Sequence, residues 1–324
     1  IRDCGSELLI LASESIDTEY FPYYLNLLHA FRWDGTTLTK TRSYYDTELD
    51  IDAAGPGVIY QGTIFTGGFG IKSLQGTRLR YYDGVEWQTV SVDDDVRALE
   101  IIDGDLFAVG EFTSIEGVAA PSVARFDGAT WTAFGSGLPA TAETIAWTGS
   151  EYYATTGSEL WKWQAHSDIW IKVADAGGGS ITDAIAWNGD LVLVGSFTSM
   201  DGAPTEFVAR FDGSLFHALP GGPNDPIDSV SLHGSGFVVE GGFLGIASEP
   251  ANYTAVFDGS SWHPARPGGL GVVCCPTTLS TYDGDLLISS NNSSLEAPST
   301  TAAHGVACFT PSGWQGLSGG LHGG

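Results

Sequence analysis

The sequence predicts an all-β chain folded as a seven-bladed β-propeller of four-stranded antiparallel blades. Three observations carry that expectation: a recurring phrase, two turn signals per recurrence, and one aromatic residue per recurrence at a fixed place. The phrase reads S-V-A-R-F-D-G-A-T-W at 122–131, F-V-A-R-F-D-G-S-L-F at 207–216 and Y-T-A-V-F-D-G-S-S-W at 253–262. Worn copies stand at 30–35, 79–87 and 306–314. A fixed internal period is the mark of a repeat architecture.

The unit is clearest from Ala98 to Leu138. An apolar run, Leu99 to Ile102, precedes Asp103-Gly104, and a second run, Leu106 to Phe112, ends at Thr113. After a loop come Ser122 to Phe126, Asp127-Gly128, and Thr130 to Phe134. Asp-Gly between β-rich runs signals a type I′ hairpin, because both central residues need positive φ. One unit is therefore a meander of four strands, called a to d from the first to the last.

The remaining units follow in order. Unit one, 1–46, begins with Ile1 to Asp3 as a stub of strand a and continues through Ser6 to Leu38. Unit two, 47–92, starts its pattern at Ile51 to Thr66, and unit three is 93–140. Unit four, 141–179, is a degenerate copy, with Thr144 to Gly157, Leu160 to Trp163 and Trp170. Unit five, 180–224, has Asn188-Gly189 at its first turn; unit six, 225–271, has His233-Gly234; unit seven, 272–324, has Asp283-Gly284. The second-turn markers Asp34, Asp83, Asp127, Asp168, Asp212, Asp258 and Pro311 recur every 41 to 53 residues, the spacing of propeller blades. A lone four-stranded sheet cannot bury both faces, whereas radial stacking buries each against its neighbour. The whole chain, 1–324, is read as one such domain.

The periodic aromatics are Trp87, Trp131, Trp170, Phe216, Trp262 and Trp314. Recurrence once per unit assigns them to packing between blades, and Trp147 and Trp187 likewise. Arg32, Arg80, Arg125 and Arg210 recur on strand c and are expected in blade-to-blade ion pairs or stacking.

The units resemble kelch-type propeller repeats in their apolar run, G-x-F-T, A-R-F-D-G and Trp. They are most similar to the divergent kelch-like repeats of bacterial secreted and fungal cell-surface proteins. The resemblance covers essentially the whole chain and implies the fold; it carries almost no chemistry. The usual double glycine stands at Gly241-Gly242, against Gly110-Glu111 and Gly195-Ser196. Adaptor function is therefore not implied. A copper-radical oxidase, which some such propellers host, needs partners that Cys308 and His304 do not visibly have.

Charge narrows the partners. Thirteen basic against 39 acidic residues leave a net charge of −26. Nucleic acid needs a basic face to neutralise its phosphates, so it is excluded. No stretch approaches the roughly 18 uninterrupted apolar residues of a membrane helix, so direct membrane insertion is not expected either. A basic protein patch or divalent cations fit better, and acidity alone also keeps an exported protein soluble.

Aligned on their first turns, the units place Asp50, Glu143, Asp183 and Asp228 at one strand a position at the channel mouth. Such a collar either holds Ca²⁺, which takes six to eight oxygens, or stays solvated. No other cofactor is expected. Cys4 lies in unit one and Cys274, Cys275 and Cys308 in unit seven. These units adjoin only if the ring closes, so the cysteines are disulfide candidates at the seam, or else four reduced thiols. The pairing is open, and a vicinal Cys274–Cys275 bridge is among the choices.

Contact loops are expected where the units differ: Tyr20, Tyr23 and Tyr24 in unit one, and Ser289, Asn291 and Asn292 in the Ser/Thr-rich stretch of unit seven. Neither a nucleophile elbow nor a phosphate loop is present. The expectation is thus a non-catalytic propeller, extracellular, cell-surface or periplasmic, binding a protein or building a surface assembly. A glycan-binding or glycan-cleaving propeller, its carboxylates assembled from distant loops, is the alternative.

Overall fold

A computed structural model describes backbone and side chains for residues 56–67, 79–246, 249–251 and 253–265. It describes backbone alone for 51–55 and 68–70 and for the strands of the first and last sheets. The strands pair into antiparallel sheets, each built on a meander of four strands, here numbered one to seven. A small hairpin interrupts the third, fifth and sixth meanders, and the one in the fifth extends the fourth sheet to six strands. The first holds Arg2–Asp3, Leu8–Ile16, Leu25–Trp33 and Leu38–Tyr45; the second, Ile51–Tyr60, Thr63–Gly70, Leu79–Tyr82 and Trp87–Val90. The third holds Val96–Ile102, Asp105–Gly110, Val123–Phe126 and Trp131–Ala133; the fourth, Thr144–Trp147, Tyr152–Thr156, Glu159–Gln164 and Ile169–Gly177. The fifth holds Ile181–Trp187, Asp190–Gly195, Val208–Phe211 and Phe216–Ala218; the sixth, Ile227–His233, Gly236–Gly241, Thr254–Phe257 and Trp262–Pro264. The seventh holds Thr278–Tyr282, Asp285–Ser289, Val306–Thr310 and Gly313–Gly316.

The first strands of sheets two to seven lie side by side in succession, and Thr278–Tyr282 also lies against Arg2–Asp3. No described strand from one end of the chain completes the sheet at the other.

The core lies between sheets. Phe65, Leu79 and Val90 of the second sheet pack with Leu99, Leu106 and Trp131 of the third. Phe107 and Val109 of the third meet Ile145, Ala154 and Trp170 of the fourth, and Val192 and Val194 of the fifth meet Phe237, Val239 and Trp262 of the sixth. Trp131, Trp170, Phe216 and Trp262 therefore pack between sheets, whereas the described neighbours of Trp87 are Ile59, Ile64 and Tyr82 of its own sheet and Trp314 is described by backbone alone. Trp170 Nε1 donates to Phe134 O at 3.1 Å and Trp262 Nε1 to Leu219 O at 3.4 Å, each on the preceding sheet's exit. The recurrent Arg is different. Arg125 pairs with Asp105 at 2.5 Å and Arg210 with Asp190 at 2.8 Å, so both pairs lie within a sheet rather than between blades.

The first turns behave as the sequence predicts at Asp103-Gly104 (φ 52° and 86°) and Asn188-Gly189 (54° and 86°). Gln61-Gly62 adopts the same pair (49° and 83°). In the sixth sheet His233 pairs Gly236, so the turn is Gly234-Ser235, one residue later than expected. The second turns differ in kind. Only the glycine has positive φ at Gly84, Gly128, Gly213 and Gly259. The Asp side chain closes the loop instead: Asp127 Oδ1 accepts the amides of Ala129 and Thr130, both at 2.8 Å. Asp83, Asp212 and Asp258 repeat this. A carboxylate that mimics a backbone carbonyl makes an Asx turn, which spares the aspartate from the left-handed region.

A third turn was absent from the predicted unit. Between second and third strands the third sheet carries a small hairpin, Ser114–Ile115 with Val118–Ala119. Ser199–Met200 with Ala203–Pro204 and Gly245–Ile246 with Glu249–Pro250 stand at the same place in the fifth and sixth.

Candidate functional site

The three hairpins stand at one place in the third, fifth and sixth sheets, and each is tied to the sheet before it. Ile115 bridges Val92, Ile246 bridges Pro223, and Met200 pairs Ala176 on the last strand of the fourth sheet. In the third sheet Asp93 Oδ1 accepts the amides of Thr113 and Ser114 at 2.8 and 2.9 Å, and Glu116 N donates to Ser91 O at 2.7 Å. Under each hairpin a buried phenylalanine, Phe112, Phe197 or Phe243, plugs the inter-sheet core. The next strand starts from a left-handed residue, Ser122, Phe207 or Tyr253, with φ of 64°, 62° and 74°. Hydrogen bonds on both sides hold it: its amide donates to the plug's carbonyl, and its carbonyl accepts from Gly110, Gly195 or Gly241.

Those glycines are needed for space. A Cβ on Gly110 would lie 2.1 Å from Asp95 O, on Gly195 2.0 Å from Ser180 O, and on Gly241 2.3 Å from Pro226 O. Gly242 would meet nothing within 4 Å. Of the double glycine, only the first is structural.

The hairpin surface is acidic. Glu116, Asp201, Glu206 and Glu249 are exposed on it, with Asp93 and Asp225 on the adjoining connections and Asp175 on the last strand of the fourth sheet. The segments 113–121, 198–207 and 243–253 contain no Lys, Arg or His. Of the nearby cations, Arg97 pairs with Glu111, and Lys172 with Asp175 at 3.0 Å.

The predicted collar is distributed differently. The register sets Ala98 opposite Val109, Asp183 opposite Val194 and Ser229 opposite Glu240. Ser229, not Asp228, is therefore the counterpart of Asp183, because the later turn shifts the sixth sheet by one residue. Asp183 is engaged: Oδ2 accepts from Val230 N at 3.0 Å and Oδ1 from Ala184 N at 2.8 Å. Glu143 lies near Arg97. Burial opposes that guanidinium's charge, but the Glu111 hydrogen bond and the fields of Glu143, Glu111 and Asp95 outweigh it and raise its pKa. Asp228 is exposed, its carboxyl pushed up by desolvation. Asp50 lies outside the described residues. Among the described residues no three of His, Cys, Asp and Glu gather.

One carboxyl that the sequence reading did not single out is buried. Glu240 is 4% exposed; burial first, and the charge of Asp228 second, push it up to about 8. Its Oε2 has no hydrogen-bond partner among the described residues, and neither has Ser229 Oγ or Thr254 Oγ1. Glu240 pairs in register with Ser229 on one side and Thr254 on the other. Its signal in the sequence was a single substitution: V-V-E-G stands where other units have F-A-V-G and V-L-V-G.

Of the remaining predicted residues, Cys4, Cys274, Cys275, Tyr20, Tyr23, Tyr24, Asn291 and Asn292 lie outside the described residues. Cys308 and Ser289 are described by backbone alone: Cys308 pairs Leu287 and Gln315, and Ser289 pairs Thr278 and Val306.

No protein-family model matches the sequence, and no curated protein does. Among solved structures, the chain is similar to the β-propeller domain of the Trilobed protease from Pyrococcus furiosus, which has an open velcro topology. The TM-score is 0.61 at 10% identity, covering 98% of this chain and 93% of that one. It is also similar to a chain in the crystal structure of a mitotic checkpoint complex, with a TM-score of 0.53 at 12% identity and 89% of each chain covered. Likeness at such identity shows the fold, a β-propeller.

Proposed function

We propose that this chain is a non-catalytic, seven-bladed propeller that serves as a protein-binding or structural module of an extracellular or periplasmic assembly, and that it docks a basic partner. The contact of Arg2–Asp3 with Thr278–Tyr282 supports a closed ring, and the sequence-local sheets support closure without an exchanged strand. The observation that carries the binding reading is the hairpin surface: three hairpins on a constant scaffold, rich in carboxylates and free of basic residues. Opposed charge across an interface steers encounter and selects partners. The similarity to a chain of a multiprotein complex fits the same reading. Placement outside the cell rests on the acidity and on the cysteine distribution.

The test uses size-exclusion profiles of the protein in extracts of its own source. Wild type is expected in a high-mass fraction that salt disperses, because exposed charges are screened beyond about a Debye length. Reversing Glu116, Asp201 and Glu249 to Lys together is expected to leave the protein monomeric. A triple variant that still migrates with the complex sinks the proposal, as does a wild type that is monomeric throughout.

A further inference from the structure

The sixth sheet holds a row of polar side chains with no visible reason to be buried. Ser229, Glu240 and Thr254 are direct neighbours across three strands. Direct cross-strand partners point to one face with Cβ atoms roughly 5 Å apart. That face is fixed by alternation. Phe237, Val239, Ala255 and Phe257 pack against Val192, Val194 and Val208 of the fifth sheet. The row therefore faces the other way, toward the seventh sheet, whose first strand lies against Ile227–His233.

Oxygens buried without partners are rare in native proteins and call for something to satisfy them. At Glu240's position the third and fifth sheets place Val109 and Val194, both fully buried, so packing alone does not require an acid there. Asp228 lies beside the row, at the irregularity between Ile227 and Ser229, and remains exposed. Two carboxyls thus share a small region, one inside and one at its open edge.

No basic side chain of the adjoining strands can answer them. The strands of the seventh sheet, T-L-S-T-Y, D-L-L-I-S, V-A-C-F-T and G-W-Q-G, contain no Lys, Arg or His. In the sixth, His233 ends the first strand at its turn, and His263 bonds Asp258 at 3.0 Å beside the second turn. Both are at the end of the sheet away from Glu240.

We infer that Asp228, Ser229, Glu240 and Thr254 form a binding site for a hard divalent cation, of the Ca²⁺ class, between the sixth and seventh sheets. All four groups offer oxygen, the donor such ions take, and a Ca²⁺ shell needs roughly six to eight of them. Bidentate carboxylates with two hydroxyls approach that number, and water through the exposed Asp228 side supplies the rest. The site belongs to one sheet and its neighbour, unlike a collar assembled from every unit.

The experiment is thermal unfolding of the full chain, stripped with EGTA and titrated with CaCl2, MgCl2 or NaCl, with calorimetry for stoichiometry. Wild type is expected to bind one Ca²⁺ and to rise in Tm by about 5 °C at a hundredfold excess over Kd. E240Q and T254V are expected to lose the shift, and Glu143→Gln to keep it. Should E240Q fold poorly, E240V supplies the residue that the third and fifth sheets use, and is expected to fold and ignore Ca²⁺. A wild type indifferent to all three salts overturns the inference. So does a Ca²⁺ response that survives in E240V, which assigns binding to the acidic surface instead.

Discussion

Single side chains close the turns of this fold, and Asp212 shows how. It accepts the amides of Ser214 and Leu215 at 2.9 Å and bonds His217 Nε2 at 2.6 Å. Asp258 does the same with His263, and Asp83 with Gln88, so the partner's place recurs in three sheets. The His217 bond first, then the backbone amides, hold the Asp212 carboxyl down at about 2. A depressed acid contributes stability above its unfolded pKa and loses it as pH falls through the folded one. The Tm deficit of D212N is thus expected to be constant above about pH 4 and to vanish near about pH 2. A deficit that persists unchanged in acid argues that the asparagine acts through something other than charge. The Asp-Gly pairs were legible as turns, yet their type was not. The two-residue and Asx turns share the same letters, and the choice depends on whether the carboxylate reaches the amides two and three residues on. Glu240 was equally readable, but only after the sixth unit is shifted by the one residue that its Gly234-Ser235 turn demands.

Among elements, the junction between second and third strands is the piece that sequence alone misses. Glu116-Gly117 (φ 48° and 76°) and Asp201-Gly202 (46° and 78°) are the same turn signal used elsewhere. Their flanking strands are two residues long, too short for an alternating pattern to register. The glycine ending the second strand was visible, and its reason is steric: the first strand's start crosses it closely. This separates two adjacent residues experimentally. G241A places a methyl 2.3 Å from Pro226 O and is expected to destabilise by about 2 kcal/mol or more. G242A meets nothing and is expected to change stability by less than about 0.5 kcal/mol. Chemical denaturation of both variants checks the pair, and equal costs refute the steric account.

Across the molecule, the meander unit and the aromatic packing between sheets were readable because they repeat, and repetition averages away local irregularity. The site residues were less readable because they are departures from the repeat, and a departure has no second copy to support it. The proposed ring closure makes a prediction of its own. With Arg2–Asp3 beside Thr278–Tyr282, the chain's two ends belong to neighbouring sheets. A circular permutant opened between Pro139 and Ala140, with residues 324 and 1 joined by a short Gly/Ser linker, is expected to fold with a Tm within a few degrees of wild type. Circular dichroism and a melting curve decide it, and an unfolded permutant counts against closure at that seam.

That each four-stranded meander is drawn from one local stretch, interrupted at most by a small hairpin, also bears on synthesis. Partners in each sheet are near in sequence, so loop-closure entropy is small and contact order low for a β protein. Each unit can complete its pairing soon after leaving the ribosome and hold its apolar face open only until the next arrives. The seventh sheet is the exception. Its first strand, Thr278–Tyr282, must find Arg2–Asp3, made almost a whole chain earlier, and that distant meeting is the step at which a nascent molecule would close the proposed ring.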